Sequence, residues 1–127
     1  VKDLKKYYII EATPQEIYTA LTNPLTIELW TGDPAVMSTV PGSEFSMWDG
    51  SIVGKNIEFE TDKKIVQQWY FDGETEDSMV TIKLHPHAAG TSVELRHVNI
   101  PDKDYKDITE GWDDAYFGAL NEFFSGF

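Results

Sequence analysis

The segment DYKDITEGWDDAYFGALNEFF, Asp104 to Phe124, reads as one helix and carries the longest apolar stripe in the chain. With Trp112 at the centre of a 3.6-residue wheel, Tyr105, Ile108, Ala115, Tyr116, Ala119 and Phe123 share its face, with Leu120 at the margin. Glu110, Asp114 and Asn121 fall opposite, as a solvated back. A stripe this wide, aromatic and interrupted by small residues needs a broad concave apolar partner. The preceding chain reads as a sheet able to supply one. Plain core packing accounts for such a helix, and so does a ligand held between helix and sheet. Gly111 and Gly118 each cost about 1 kcal/mol inside a helix relative to alanine. Close approach to the sheet, a bend or room for a ligand must offset them.

Working outward to the N-terminus, Tyr7 to Ile10 is β-branched and aromatic and predicts a strand. Thr13-Pro14-Gln15-Glu16 starts a helix, with Thr13 as cap, Pro14 at the first helical position and Glu16 completing a capping box. Ile17, Ala20 and Leu21 are its apolar face. Asn23-Pro24 repeats the device, so a second short helix runs to about Trp30 and stops at Gly32.

Between Ala35 and Ile100 strands alternate with turns. Pro41-Gly42 and Asp49-Gly50 are turn signals, the second a hairpin turn needing positive φ. The predicted strands are Ser43 to Trp48, Ser51 to Glu60, Ile65 to Phe71, Met79 to Leu84 and Ser92 to Ile100, the last two joined across Pro86 to Gly90. Short loops predict consecutive antiparallel pairing. Alternation places Phe45 with Met47, Ile57 with Phe59, and Ile65 with Gln67, Trp69 and Phe71. It likewise groups Val80, Ile82 and Leu84, and Val93, Leu95 and His97. These five sets form one concave wall, with a bulge as the alternative in Ser51 to Phe59.

At 127 residues the chain is one domain's length, 1–127, enough to bury roughly two-thirds of the unfolded surface. There is no cysteine, which excludes disulfides, a thiolate nucleophile and a cysteine zinc site. Lys2, Asp3, Lys5 and Lys6 leave no apolar core for a signal peptide in Val1 to Ile10. No run approaches the ~20 apolar residues of a membrane span. A cytoplasmic protein is expected. The net charge of −12, from 22 acidic and 10 basic residues, repels phosphate backbones and anionic lipid. Nucleic acid is therefore not an expected partner. The acids of Asp72 to Asp77 and Asp102 to Asp114 read as a solvated face or as the contact for a basic partner.

Catalytic chemistry has few candidates. No serine sits in a nucleophile-elbow context, and the histidines are His85, His87 and His97. His85-Pro86-His87 flanks a turn, with exposed rings and no acidic partners placed for a metal. His97 faces inward with Val93 and Leu95. It reads as a core histidine satisfied by a neighbour, a ligand anchor, or an acid–base group paired with Tyr116. Gln67 shares Trp69's face. Apolar walls carrying a few such polar groups are how ligand cavities are lined.

Three stretches carry a family resemblance: Ala12-Thr13-Pro14-Gln15-Glu16-Ile17-Tyr18-Thr19-Ala20-Leu21 with Trp30; Asp49-Gly50-Ser51-Ile52-Val53-Gly54-Lys55 leading to Ile65-Val66-Gln67-Gln68-Trp69; and Thr91-Ser92-Val93-Glu94-Leu95-Arg96-His97 to Pro101, then Gly111-Trp112. In this order they resemble the helix-grip superfamily of START lipid-transfer domains, pollen allergens and polyketide aromatases. Within it they are most similar to the C-terminal-domain family of the heat-shock protein 90 ATPase activator. The resemblance implies an α+β helix-grip fold. A curved antiparallel sheet of about six to seven strands would wrap a long C-terminal helix, with two short helices after strand 1. The activator has an additional N-terminal domain without counterpart in these 127 residues. Stand-alone members imply non-enzymatic binding of a lipophilic or lipid-like small molecule, without a cofactor or metal. The inward faces nominate Phe45, Met47, Gln67, Trp69, Leu95, His97, Ile108, Trp112 and Tyr116 as lining a cavity of roughly several hundred Å³. The alternative is a co-chaperone-like protein-interaction domain, and the third reading is a cyclase- or aromatase-like enzyme.

Overall fold

Strand β1 (Lys2–Ile10) leads at once into helix α1 (Pro14–Thr22). The capping box forms as expected. Thr13 Oγ1 accepts from the Glu16 amide at 3.1 Å, and the Glu16 carboxylate accepts from the Thr13 amide at 3.0 Å. Asn23 caps helix α2 (Pro24–Thr31) through the amides of Leu25 and Thr26, and Gly32, at φ 83°, ends it. The Trp30 indole N–H donates to the Ala20 carbonyl at 2.7 Å and locks the two helices together. This is a computed structural model, and it describes residues 1–74 and 76–126. Thr75, within the acidic loop, and Phe127 lie outside the described residues.

Strands β2 (Glu44–Met47), β3 (Ile52–Glu60), β4 (Lys64–Trp69), β5 (Ser78–His87) and β6 (Gly90–Ile100) complete an antiparallel six-stranded sheet in the order β1-β6-β5-β4-β3-β2. The consecutive hairpins follow the short loops, and β1 then closes against the last strand, with Tyr8 opposite Val93. Phe45, Met47, Ile65, Gln67, Trp69, Val80, Ile82, Leu84, Val93, Leu95 and His97 all turn inward and are buried. Ile57 does not. The β3–β4 register slips between Asn56 and Glu58, so an extra residue on β3 reverses its alternation. Ile57 is exposed, Gly54 and Asn56 point inward, and Phe59 is half-buried against the core.

The C-terminal helix is not uniform. Helix α3 (Tyr105–Gly111) passes into a π-helical turn, Trp112–Tyr116, and then into α4 (Phe117–Ser125). The Phe117 amide bonds the Trp112 carbonyl five residues back. One added residue rotates the following helix by about 100°. Ala115, expected on the buried stripe, is therefore exposed, whereas Phe117 and Leu120 are fully buried. The widened turn also explains Gly118, where a Cβ would stand 2.5 Å from the Asp113 carbonyl oxygen. Gly111 has no heavy atom within 4 Å of a Cβ placed there, so it meets space rather than a packed neighbour. Asp113 fastens the turn to β1. Its carboxylate accepts from Lys6 Nζ at 2.7 and 2.8 Å and from the Tyr8 hydroxyl at 2.8 Å. No helix among the described residues is long and apolar enough to cross a membrane.

Candidate functional site

Trp69 from β4 and Trp112 from the π turn stack with ring centroids 4.7 Å apart and planes at 25°. Each indole is held from behind by its own buried polar chain. Trp112 Nε1 donates to His97 Nδ1 at 3.1 Å. An indole N–H only donates, so Nδ1 accepts and the imidazole proton sits on Nε2. Nε2 in turn lies 2.8 Å from Ser78 Oγ, which donates to the Val98 carbonyl at 3.2 Å. Burial pushes the His97 pKa down to about 4, so the ring is neutral at neutral pH. On the other side, Trp69 Nε1 donates to Gln67 Oε1 at 3.2 Å, and Gln67 Nε2 donates to Asn56 Oδ1 at 3.0 Å. The Asn56 amide finishes the chain on the Ser38 carbonyl at 3.1 Å and Ser43 Oγ at 3.2 Å. Sequence reasoning missed Asn56; only the bulge turns it inward.

A second aromatic cluster closes the side. Trp48, Asp49 and Gly50 carry φ values of 49°, 52° and 95°, a left-handed run at the β2–β3 turn. A bulky residue there is a backbone outlier. The run places Trp48 against Trp30 and Tyr116, each at a centroid distance of 5.8 Å. Trp30 and Tyr116 meet at 5.2 Å.

Between these clusters lies a cleft of about 380 Å³. Trp48, Ile52, Trp69, Ile108, Trp112 and Tyr116 make its walls, and Asp33, Ser51, Asp107, Gly111 and Ala115 complete the lining. Tyr116 is only 4% exposed, and its hydroxyl has no hydrogen-bond partner among the described residues. Burial raises its pKa. The carboxylates of Asp33 and Asp107 likewise take no partner among the described residues.

Of the nine nominated lining residues, Trp69, Ile108, Trp112 and Tyr116 meet at this cleft. Phe45, Met47, Gln67, Leu95 and His97 are buried in the core outside it. Gln67 and His97 hold the tryptophans rather than facing free space. Trp48 was visible in the sequence only as one more aromatic beside a turn. His97 and Tyr116 pack on Trp112 at centroid distances of 5.8 and 4.6 Å, and no hydrogen bond joins them. His85 and His87 are exposed, as expected; His85 Nε2 pairs with Glu94 at 3.1 Å. No group of three or more metal-ligating side chains occurs among the described residues.

A curved antiparallel sheet, two bracing helices and a long C-terminal helix define a helix-grip domain. The family model described as Activator of Hsp90 ATPase homolog 1-like protein matches residues 11–125, and the chain belongs to that family. An activator of 90 kDa heat shock protein ATPase homolog from Dictyostelium discoideum is 28% identical over 127 residues, covering 98% of this chain and 33% of the relative. Homolog 2 from Mus musculus is 24% identical over 114 residues, covering 88% of this chain and 34% of that one. The chain thus spans about a third of the length of these relatives. Among solved structures, an HSP90 activator from Plasmodium falciparum superposes with a TM-score of 0.81 at 26% identity, over 98% of this chain and 95% of that one.

Proposed function

We propose that this chain is a non-catalytic protein-interaction domain that stimulates an Hsp90 ATPase by contact, in a cytoplasmic setting. The observation that carries this reading is the end-to-end likeness to the Plasmodium HSP90 activator. Two surface features support it. Helix α2 buries Ile27 and Trp30 but presents Leu25 and Leu29, 73% and 71% exposed and four residues apart, as an apolar pair on its outer face. The net charge of −12 favours a basic partner surface. The purified chain is expected to raise the ATPase rate of an Hsp90 from the same organism, with the effect falling as salt rises. Leu25→Lys combined with Leu29→Lys is expected to weaken it. No stimulation and no association at low salt would refute this function.

The cleft supports a second reading, a site for a small lipophilic molecule. Its volume falls within the roughly 300–1,000 Å³ of such pockets. Its walls are mostly aromatic, and the hydroxyl of the buried Tyr116 has no hydrogen-bond partner among the described residues. His97 is held by Ser78 and Trp112 outside the cleft and does not pair with Tyr116 there, which supports binding.

A further inference from the structure

We propose that the cleft selects an organic cation, an amine or quaternary ammonium on a flat apolar body. This rests on the small-molecule reading and adds the sign of the ligand's charge. Among the described residues the lining holds two carboxylates, Asp33 and Asp107, and no lysine, arginine or histidine. Neither carboxylate is spent on a partner within the described residues. The adjoining groove shares Ser51, Ile52, Trp69 and Ile108 with the cleft and adds Asp72 and Asp104 against a single Lys103. An anion entering here meets Asp33 and Asp107 in the cleft and Asp72 and Asp104 in the groove, on a chain whose net charge is already −12.

The interior matches the same ligand. Trp48, Trp69, Trp112 and Tyr116 line the space, with Trp48 and Trp112 inclined to Tyr116 at 60° and 51°. A lining ring that presents its face to a guest attracts a cation through the negative side of its quadrupole. The Tyr116 oxygen is the independent sign of a missing partner. The residue is more than nine-tenths buried and lines the cleft, and its hydroxyl, without a partner among the described residues, can accept a hydrogen bond from an ammonium. Gly111 widens the helical wall where a side chain would have filled it.

The test is calorimetric titration of the full chain with three naphthalenes of matched shape, at low and at physiological ionic strength. They are (2-naphthylmethyl)trimethylammonium, 2-naphthylmethanol and 2-naphthylacetate. The ammonium is expected to bind about tenfold tighter than the alcohol, with the acetate weakest. In the Asp33→Asn/Asp107→Asn variant that preference should shrink while the alcohol's affinity holds. Trp48→Ala should weaken the ammonium. Equal affinity for all three, a preference for the acetate, or ammonium binding indifferent to these substitutions would overturn the charge assignment and leave the cleft reading standing. Failure of all three compounds to bind would overturn both.

Discussion

Lowering the pH from 7 toward 4 puts a load on the bond between the C-terminal helix and the sheet. His97 Nδ1 receives the Trp112 indole proton, so a second proton on that nitrogen would set two N–H groups against each other. The folded state resists this, and burial holds the imidazole pKa at about 4 against an ordinary 6.5. An unfolded chain takes up the proton near 6.5. The depressed value therefore contributes stability that is complete above pH 6.5 and drains away as the pH falls to about 4. At about 1.4 kcal/mol per pH unit, the gap amounts to roughly 3 kcal/mol, a large share of a small domain's total. Glu16 and Asp113 also have lowered pKa values, but theirs start from the carboxylate range and act mostly below this window. Urea denaturation of the native protein and of His97→Asn, at half-unit steps from pH 7 to pH 4.5, separates the contributions. The native protein should lose most of the 3 kcal/mol across that range. The variant should start less stable and stay nearly level. Parallel curves would refute the reasoning, because they would place the acid sensitivity elsewhere.

The two helix glycines should behave oppositely in thermal denaturation. Gly111→Ala, with open space and a helical backbone, should stabilise by about 0.5–1 kcal/mol while weakening any cleft ligand. Gly118→Ala should destabilise by about 2 kcal/mol or more, since its Cβ meets the Asp113 carbonyl. Asn56→Ala strands the Gln67 amide in the core and should cost about 2–3 kcal/mol in urea unfolding; a loss below about 0.5 kcal/mol would argue against the buried chain. Asp113→Asn should lower the Tyr8 pKa, which burial and the neighbouring carboxylate raise, as read by ultraviolet titration. Its stability cost should stay under about 1 kcal/mol, because the carboxylate is largely solvated.

Local chemistry made much of this fold legible. Thr13 with Glu16, and Asn23 with Pro24, announce their helices because capping is a contact between near neighbours. Val80, Ile82 and Leu84 reveal their face because alternation survives wherever a strand is regular. Ile57 and Ala115 were misplaced for one shared reason. A single inserted residue, in the β3 bulge or the π turn, resets the phase of everything around it and has no residue type of its own. Phe117 and Asn56 went unremarked for that same reason. The cleft was legible only in part. Periodicity assigns Trp69, Trp112 and Leu95 to the interior, but which of them borders unfilled volume depends on how neighbouring side chains fit together. Trp48 stands at the cleft through a left-handed turn that no periodic pattern describes.

The place of β1 in the sheet has a consequence for how the molecule is made. Tyr8 pairs with Val93, 85 residues later, whereas every other strand pairing joins sequence neighbours. During synthesis the β2–β6 hairpins have partners as soon as they emerge, but β1 waits until β6 has left the ribosome. Closing so long a loop is the slow, entropically costly step in acquiring the native topology. Through that interval Lys2, Lys5 and Lys6 guard an apolar strand against pairing with a neighbouring chain. The π turn cannot be clasped by Lys6 and Tyr8 until β1 arrives. Closure of the sheet and fastening of the helix are therefore expected late in folding and should appear together as one kinetic phase.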